Sequence, residues 1–198
     1  RGKSVLGGTA FERFEDSAKD IQAAIDFASR NGFRDIVLSG HSTGCQKIVY
    51  YLGKTQDRRV KGAMLLAPVD DYNANRKDLG RNFKKVVQLA RKLKGTDLIP
   101  QKMIHGTFFG SRRFLSVADL KQPEAQIFNY EAKHMTHFAK IKCPIFAVFG
   151  GNEQYKTKPV AKYMEKLQQD TRSKKFGFAI IKGADHNFTS KEEQTARA

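Results

Sequence analysis

The segment from Ile36 to Leu52 constrains the fold of this 198-residue chain most tightly, because its hydrophobic period changes across a short glycine-bearing turn. Ile36-Val37-Leu38 is a continuous β-favouring run between Asp35 and Ser39-Gly40, the pattern of a strand buried on both faces of a parallel sheet. Lys47 to Leu52 returns to helical spacing and is closed by Gly53. Between the two lies Gly40-His41-Ser42-Thr43-Gly44. A strand that passes into a helix within so few residues predicts a βα unit, and with it parallel strands.

The alternation recurs along the chain. Phe14, Ala18, Ile21, Ile25 and Ala28 form a helical stripe that Asn31-Gly32 can end. Ala63 to Ala67 is a strand run stopped by Pro68, Ile145 to Phe149 is stopped by Gly150-Gly151, and Phe178 to Ile181 is the last. Val160, Tyr163, Met164 and Leu167 stripe a helix between those final two strands. The expected fold class is α/β, a mostly parallel sheet flanked by helices. Asp71 to Lys142 places 72 residues between two strands, far more than one crossover needs. Leu79, Phe83, Val86, Val87, Ala90 and Leu93 form a helical stripe there, with shorter helical patterns from Asp119 to Lys140. The expected organisation is therefore a core over 1–70, a helical lid or cap over 71–142, and the rest of the core over 143–198.

Gly40-x-Ser42-x-Gly44 at a strand-to-helix turn is the context that lifts a serine hydroxyl above the edge of a sheet, with glycines where side chains would collide with neighbouring elements. Serine at its free pKa is a weak nucleophile, so it needs a base, and the base needs an acid to hold its tautomer. Both are expected at later strand ends. Glu153 follows the Gly150-Gly151 stop, 111 residues after Ser42. His186 follows the last strand, 33 residues further on. Asp70 and Asp71, after the strand ending at Ala67, are the alternative acid or a substrate contact.

These residues resemble those of the α/β-hydrolase superfamily. Arg1-Gly2-x-Ser4 is similar to the R-G-x-G-x-S segment after that fold's fourth strand, Gly40 to Gly44 to its nucleophile elbow, Gly150-x-x-Glu153 to its acid turn, and Ala184-Asp185-His186 to its histidine loop. The string from Gly40 to Gln46, with Gly7-Gly8-Thr9 upstream, looks most like a branch that includes fungal siderophore ester hydrolases. Glu stands at 153 where Asp is commoner, and the early strands of the fold have no counterpart before Arg1. The resemblance implies an N-terminally incomplete serine esterase. In it Ser42 attacks an ester, His186 carries the proton, Glu153 holds His186, and the N–H of Thr43 gives half of an oxyanion hole whose other half lies upstream. Such a chain by itself is expected to be a poor catalyst. Gly40, His41 and Gly44 shape the elbow. Acyl transfer is a variant that the triad does not distinguish, and an anion-binding protein without catalysis is the rival.

Composition sets the partners. Thirty-six Lys and Arg against 20 Asp and Glu give a net charge of +16, and 40% hydrophobic content excludes a disordered chain. Residues 76–113 hold eleven Lys or Arg against Asp78 and Asp97, a net +9 on the expected lid. The expected partner is a small ester, of which an anionic one suits that charge; neither a base-stacking nucleic-acid motif nor an apolar membrane span is visible. Cys45 and Cys143 are too few for a disulfide framework and read as reduced thiols of a cytoplasmic protein. His134 and His137 have i, i+3 spacing without a carboxylate or cysteine to complete a metal set, and no cofactor is expected.

Overall fold

The structure, a computed structural model, describes residues 7–198, so the Arg1-Gly2-x-Ser4 segment lies outside the described residues. In chain order the elements are α1 (Ser17–Arg30), β1 (Ile36–His41), α2 (Thr43–Thr55), β2 (Val60–Leu66), α3 (Asp71–Leu79) and α4 (Phe83–Lys92). After these come α5 (Ser111–Ala118), α6 (Pro123–Ile127), β3 (Ile145–Gly150), α7 (Val160–Asp170), β4 (Phe176–Ile181) and α8 (Glu192–Ala196). The four strands form one parallel sheet in the order β1-β2-β3-β4. All four C-terminal ends consequently open on the same side, where Ser42, Ala67, Gly150 and the loop after Ile181 begin.

The main core forms where helices cover one face of this sheet. Cys45, Ile48, Val49 and Leu52 of α2 and Tyr163, Met164 and Leu167 of α7 pack with Leu65, Ala147 and Phe149, all buried. Leu79, Phe83, Val86, Val87, Ala90, Ile99, Phe114 and Ala118 form a second, separate apolar cluster, whereas Ile127, Phe128, Met135, Phe138 and Ile141 join the main one. The stretch between β2 and β3 thus folds partly around itself and partly onto the body.

Several local expectations change. β1 alternates between half-buried and exposed residues instead of being buried on both faces; Val37 is 58% exposed. In register with its neighbours, Val37 and Met64 stand exposed on the same sheet face as Phe146, and β1 and β4 are the outer strands of the four described. Gly53 does not close α2. It sits inside the helix, where a Cβ would lie 2.9 Å from the carbonyl oxygen of His137, and the helix ends at Gln56 in the left-handed region. The stripe from Leu79 to Leu93 belongs to two helices, broken at Gly80, whose φ is 50°. His134 to His137 is not helical, so the spacing argument for paired ligands lapses there. Asp170 caps that segment by accepting from the N–H of Met135 at 2.7 Å.

The charge of residues 76–113 is also less free than the sequence suggests. Arg113 is 3% exposed and paired with Glu124, which also accepts from Ser116 at 2.6 Å. Arg91 donates to Asp119 at 2.8 Å. Arg113 further approaches Glu12 at 3.6 Å, and Glu12 is paired with Lys47 of α2, so a chain of ion pairs ties α5 and α6 to the body.

Candidate active site

At the end of β1 the backbone turns sharply. Ser42 adopts φ 55° and ψ −126°, a conformation costly for any residue with a Cβ. It is held there by its N–H donating to the carbonyl of Leu66 at 2.9 Å and by its carbonyl accepting from Cys45 N–H at 2.9 Å. Gly40 makes the turn possible. A Cβ at this position would lie 2.7 Å from the backbone of Gly44 and 2.8 Å from Ile48, so strand and helix could not approach. At Gly44 itself a Cβ would meet nothing within 4 Å, which corrects the expectation that both glycines are required by collision. Thr43 is the first residue of α2, where a backbone N–H has no intrahelical acceptor and points toward the helix N-terminal side. Cys45 packs inward, its thiol donating to Gly40 O at 3.0 Å and Leu66 O at 3.2 Å, and burial pushes its pKa up.

The loops after β3 and β4 are joined backbone to backbone. Asn152 N–H donates to Ala184 O at 2.8 Å and Gly151 N–H to Ile181 O at 2.9 Å. A Cβ on Gly150 would collide with the carbonyls of Ala184 and Asp185, so glycine is needed for this approach. It brings Glu153 and His186 together. Glu153 is wholly buried; Oε2 lies 2.8 Å from His186 Nδ1 and Oε1 accepts from Tyr155 N–H at 3.0 Å. His186 is fixed on three further sides. Its N–H donates to Gln154 Oε1 at 3.0 Å, its carbonyl accepts from His41 Nε2 at 2.8 Å, and the Tyr155 ring stands edge-on at 4.8 Å. A carbonyl can only accept, so His41 carries its proton on Nε2. The two imidazoles are themselves in contact, with centroids 4.8 Å apart.

Ser42 and His186 line one cavity of about 700 Å³, together with Val69, Asp71, Ala74, Asn75, Lys77, Asp78, Gln154 and Tyr155. They form no direct hydrogen bond to each other. The alternative acids lie elsewhere. Asp70 caps α3, accepting from the N–H and Nδ2 of Asn73 and from the N–H of Tyr130. Asp71 accepts from Gln46 Nε2 at 2.7 Å. Neither carboxyl hydrogen-bonds a histidine. Sequence reasoning missed Gln154 and Tyr155, although their adjacency to Glu153 was the available signal, and it assigned no role to Gln46. Among the described residues no group of three or more potential metal ligands is assembled, and no helix is long and apolar enough to cross a membrane.

Residues 3–198 match a family described as "Protein of unknown function (DUF1749)", and no curated protein matches the chain. Solved structures resemble it in fold. The monoacylglycerol lipase of Paleococcus ferrophilus superposes with a TM-score of 0.62 at 17% identity, over 95% of this chain and 74% of that one. Est1E of Butyrivibrio proteoclasticus gives 0.55 at 16%, over 94% and 67%. Carboxylesterase CesB of Bacillus subtilis gives 0.52 at 16%, over 96% and 66%. At such identities the likeness establishes the α/β-hydrolase fold alone, and this chain spans about two thirds to three quarters of those structures.

Proposed function

The chain belongs to the DUF1749 family, and from that starting point we propose that it is a serine hydrolase that cleaves a carboxylic ester through Ser42, His186 and Glu153. One observation carries this reading: a buried carboxyl 2.8 Å from the Nδ1 of a histidine that shares a cavity with a serine at φ 55°. A carboxylate at Glu153 accepts from Nδ1–H and leaves the Nε2 lone pair facing the cavity. Ser42 Oγ then attacks the ester carbonyl while Nε2 takes its proton. The tetrahedral oxyanion takes a hydrogen bond from Thr43 N–H, and its collapse expels the alcohol, which receives the proton from Nε2. Water repeats the sequence on the acyl-Ser42 ester. Transfer of that acyl group to another acceptor would use the same residues. The polar lining of the cavity and the likeness of the Gly40 to Gln46 string to siderophore ester hydrolases support a polar ester.

A fluorophosphonate probe tests the reading. Covalent labelling of the wild-type protein that is lost in Ser42→Ala is the expected result. Absence of labelling, or labelling that survives in Ser42→Ala, overturns it and favours a non-catalytic role for the fold, such as anion binding by the cap.

A further inference from the structure

The cavity that holds Ser42 and His186 contains one carboxyl group that the proposed reaction leaves without a task. Asp71 opens α3 and lines that cavity. Behind it stands Gln46, 1% exposed and one helical turn beyond Ser42. The Gln46 amide nitrogen donates to Val69 O at 3.0 Å and to Asp71 Oδ2 at 2.7 Å, which uses both of its N–H groups. The reverse orientation of this amide would set its oxygen against the Val69 carbonyl, so its direction is fixed, and its own Oε1 is left buried without a partner. Asp71 Oδ2 is therefore an acceptor committed to the protein. Oδ1 has no hydrogen bond to a described residue, and a proton on this carboxyl belongs there.

The surroundings favour that proton. Burial is the largest influence and, together with the like charges of Glu124 on α6 and Asp70 in the preceding turn, pushes the carboxyl up to about 8. Arg113 on α5 and the Gln46 N–H act in the opposite direction, and Arg113 is itself spent on Glu124 and Glu12. On the cavity side stand Lys77, Asp78 and His186, and Lys77 is itself directed at the carbonyl of Lys156, 3.0 Å away.

Building on the serine-hydrolase reading, we propose that Asp71 is a specificity residue that donates a hydrogen bond from Oδ1 to an acceptor oxygen of the substrate outside the scissile carbonyl. The favoured substrates are esters with an ether, hydroxyl or carbonyl oxygen in the part that lies on α3, and plain alkyl esters are disfavoured. Once substrate covers the cavity, a donor left without an acceptor is what makes such a site reject the analogue that lacks the oxygen.

The experiment compares p-nitrophenyl methoxyacetate with p-nitrophenyl butyrate, which differ by an oxygen in place of one methylene. It measures kcat/KM for wild type, Asp71→Asn and Asp71→Leu between pH 6 and 9. Asp71→Asn keeps an acceptor for Gln46 and turns an N–H donor to the cavity at every pH. The expected result at pH 7 is a methoxyacetate-to-butyrate ratio at least about tenfold lower in Asp71→Leu than in wild type, and retained in Asp71→Asn. Raising the pH through 8 lowers the ratio in wild type, because an ionised carboxyl no longer donates, and leaves it flat in Asp71→Asn. Equal ratios in wild type and Asp71→Leu, or the same pH dependence in wild type and Asp71→Asn, overturn the proposal. If Asp71→Leu does not fold, the Asp71→Asn pH comparison decides alone. Fluorophosphonate labelling of Ser42 with unaltered ratios sinks this inference only; absence of both labelling and hydrolysis sinks the reading on which it rests as well.

Discussion

The elbow and the histidine loop meet at one cavity, and Ser42 and His186 are held there by different means. Ser42 is positioned by backbone: a left-handed φ, two main-chain hydrogen bonds, and the approach of α2 that the missing Cβ of Gly40 permits. Its hydroxyl makes no hydrogen bond to a described residue. His186 is positioned by side chains, with Glu153, Gln154, His41 and Tyr155 each fixing a different atom or face. Ser42 should therefore tolerate changes in neighbouring side chains and fail when the backbone is crowded, whereas His186 should respond to both, because its loop also rests on the close approach that Gly150 permits.

The strongest way to break this contrast is Gly40→Ala, which places a methyl 2.7 Å from the Gly44 backbone. Neither atom can rotate away, so fluorophosphonate labelling of Ser42 should fall to background. Labelling near the wild-type level would show that the elbow is not held by that approach. Next in size is Glu153→Gln, which keeps the shape but can present its amide N–H to Nδ1 and favour the wrong tautomer. Esterase kcat should drop on the order of 10³ to 10⁴-fold with melting temperature little changed, and a loss below tenfold would remove Glu153 from the reading. A third comparison uses His41. Phe at this position keeps a ring beside His186 and loses the donor to its carbonyl, and we expect kcat to fall by about 10 to 100-fold with KM held, the scale of a misplaced catalytic group. His41→Gln retains a donor and should recover most of that loss; equal losses in both variants would refute the hydrogen-bonding role. The smallest effect is Gly44→Ala. With open space at its Cβ and helical geometry, this change should raise stability by about 0.4 to 1 kcal/mol in chemical denaturation, whereas a destabilised Gly44→Ala would erase the distinction between the two elbow glycines.

Asp71 adds a stability measurement of known sign. Its folded carboxyl titrates above its unfolded value of 3.8, so the native state holds the extra proton between those values and stability declines as pH rises from about 4 to about 8. Asp71→Asn removes that slope, and its advantage over wild type in denaturant midpoint should grow from pH 5 to pH 8.

The same contrast explains what the sequence revealed. Backbone-held features leave local traces: Gly40, Ser42, the stop at Gly150-Gly151 and the alternation of strand and helix periods are each readable from a few neighbouring letters. That the segments bearing Ser42, Glu153 and His186 come together was readable because parallel strands bring their ends to one side. Features that depend on distant partners were not. That Gln154 receives the His186 N–H, that Gln46 turns toward Asp71, and that Arg113 is buried against Glu124 instead of contributing to a basic outer face are all decided across tens of residues. The helical periodicity from Leu79 to Leu93 was correct, yet it concealed the break at Gly80, because a stripe can continue across two helices that share one apolar cluster.

The apolar residues exposed on the sheet have a consequence in colloidal terms. Val37 and Met64 stand exposed on one of its faces, and apolar surface of this kind invites association with another copy. What opposes it is the mutual repulsion of molecules that each carry +16. Repulsion reaches about 10 Å in 0.1 M salt and about 3 Å in 1 M, so added salt, which leaves the buried hydrogen bonds around His186 intact, should shorten the time to aggregation seen by light scattering. The basic character of the chain thus acts as a dispersant for its own sheet.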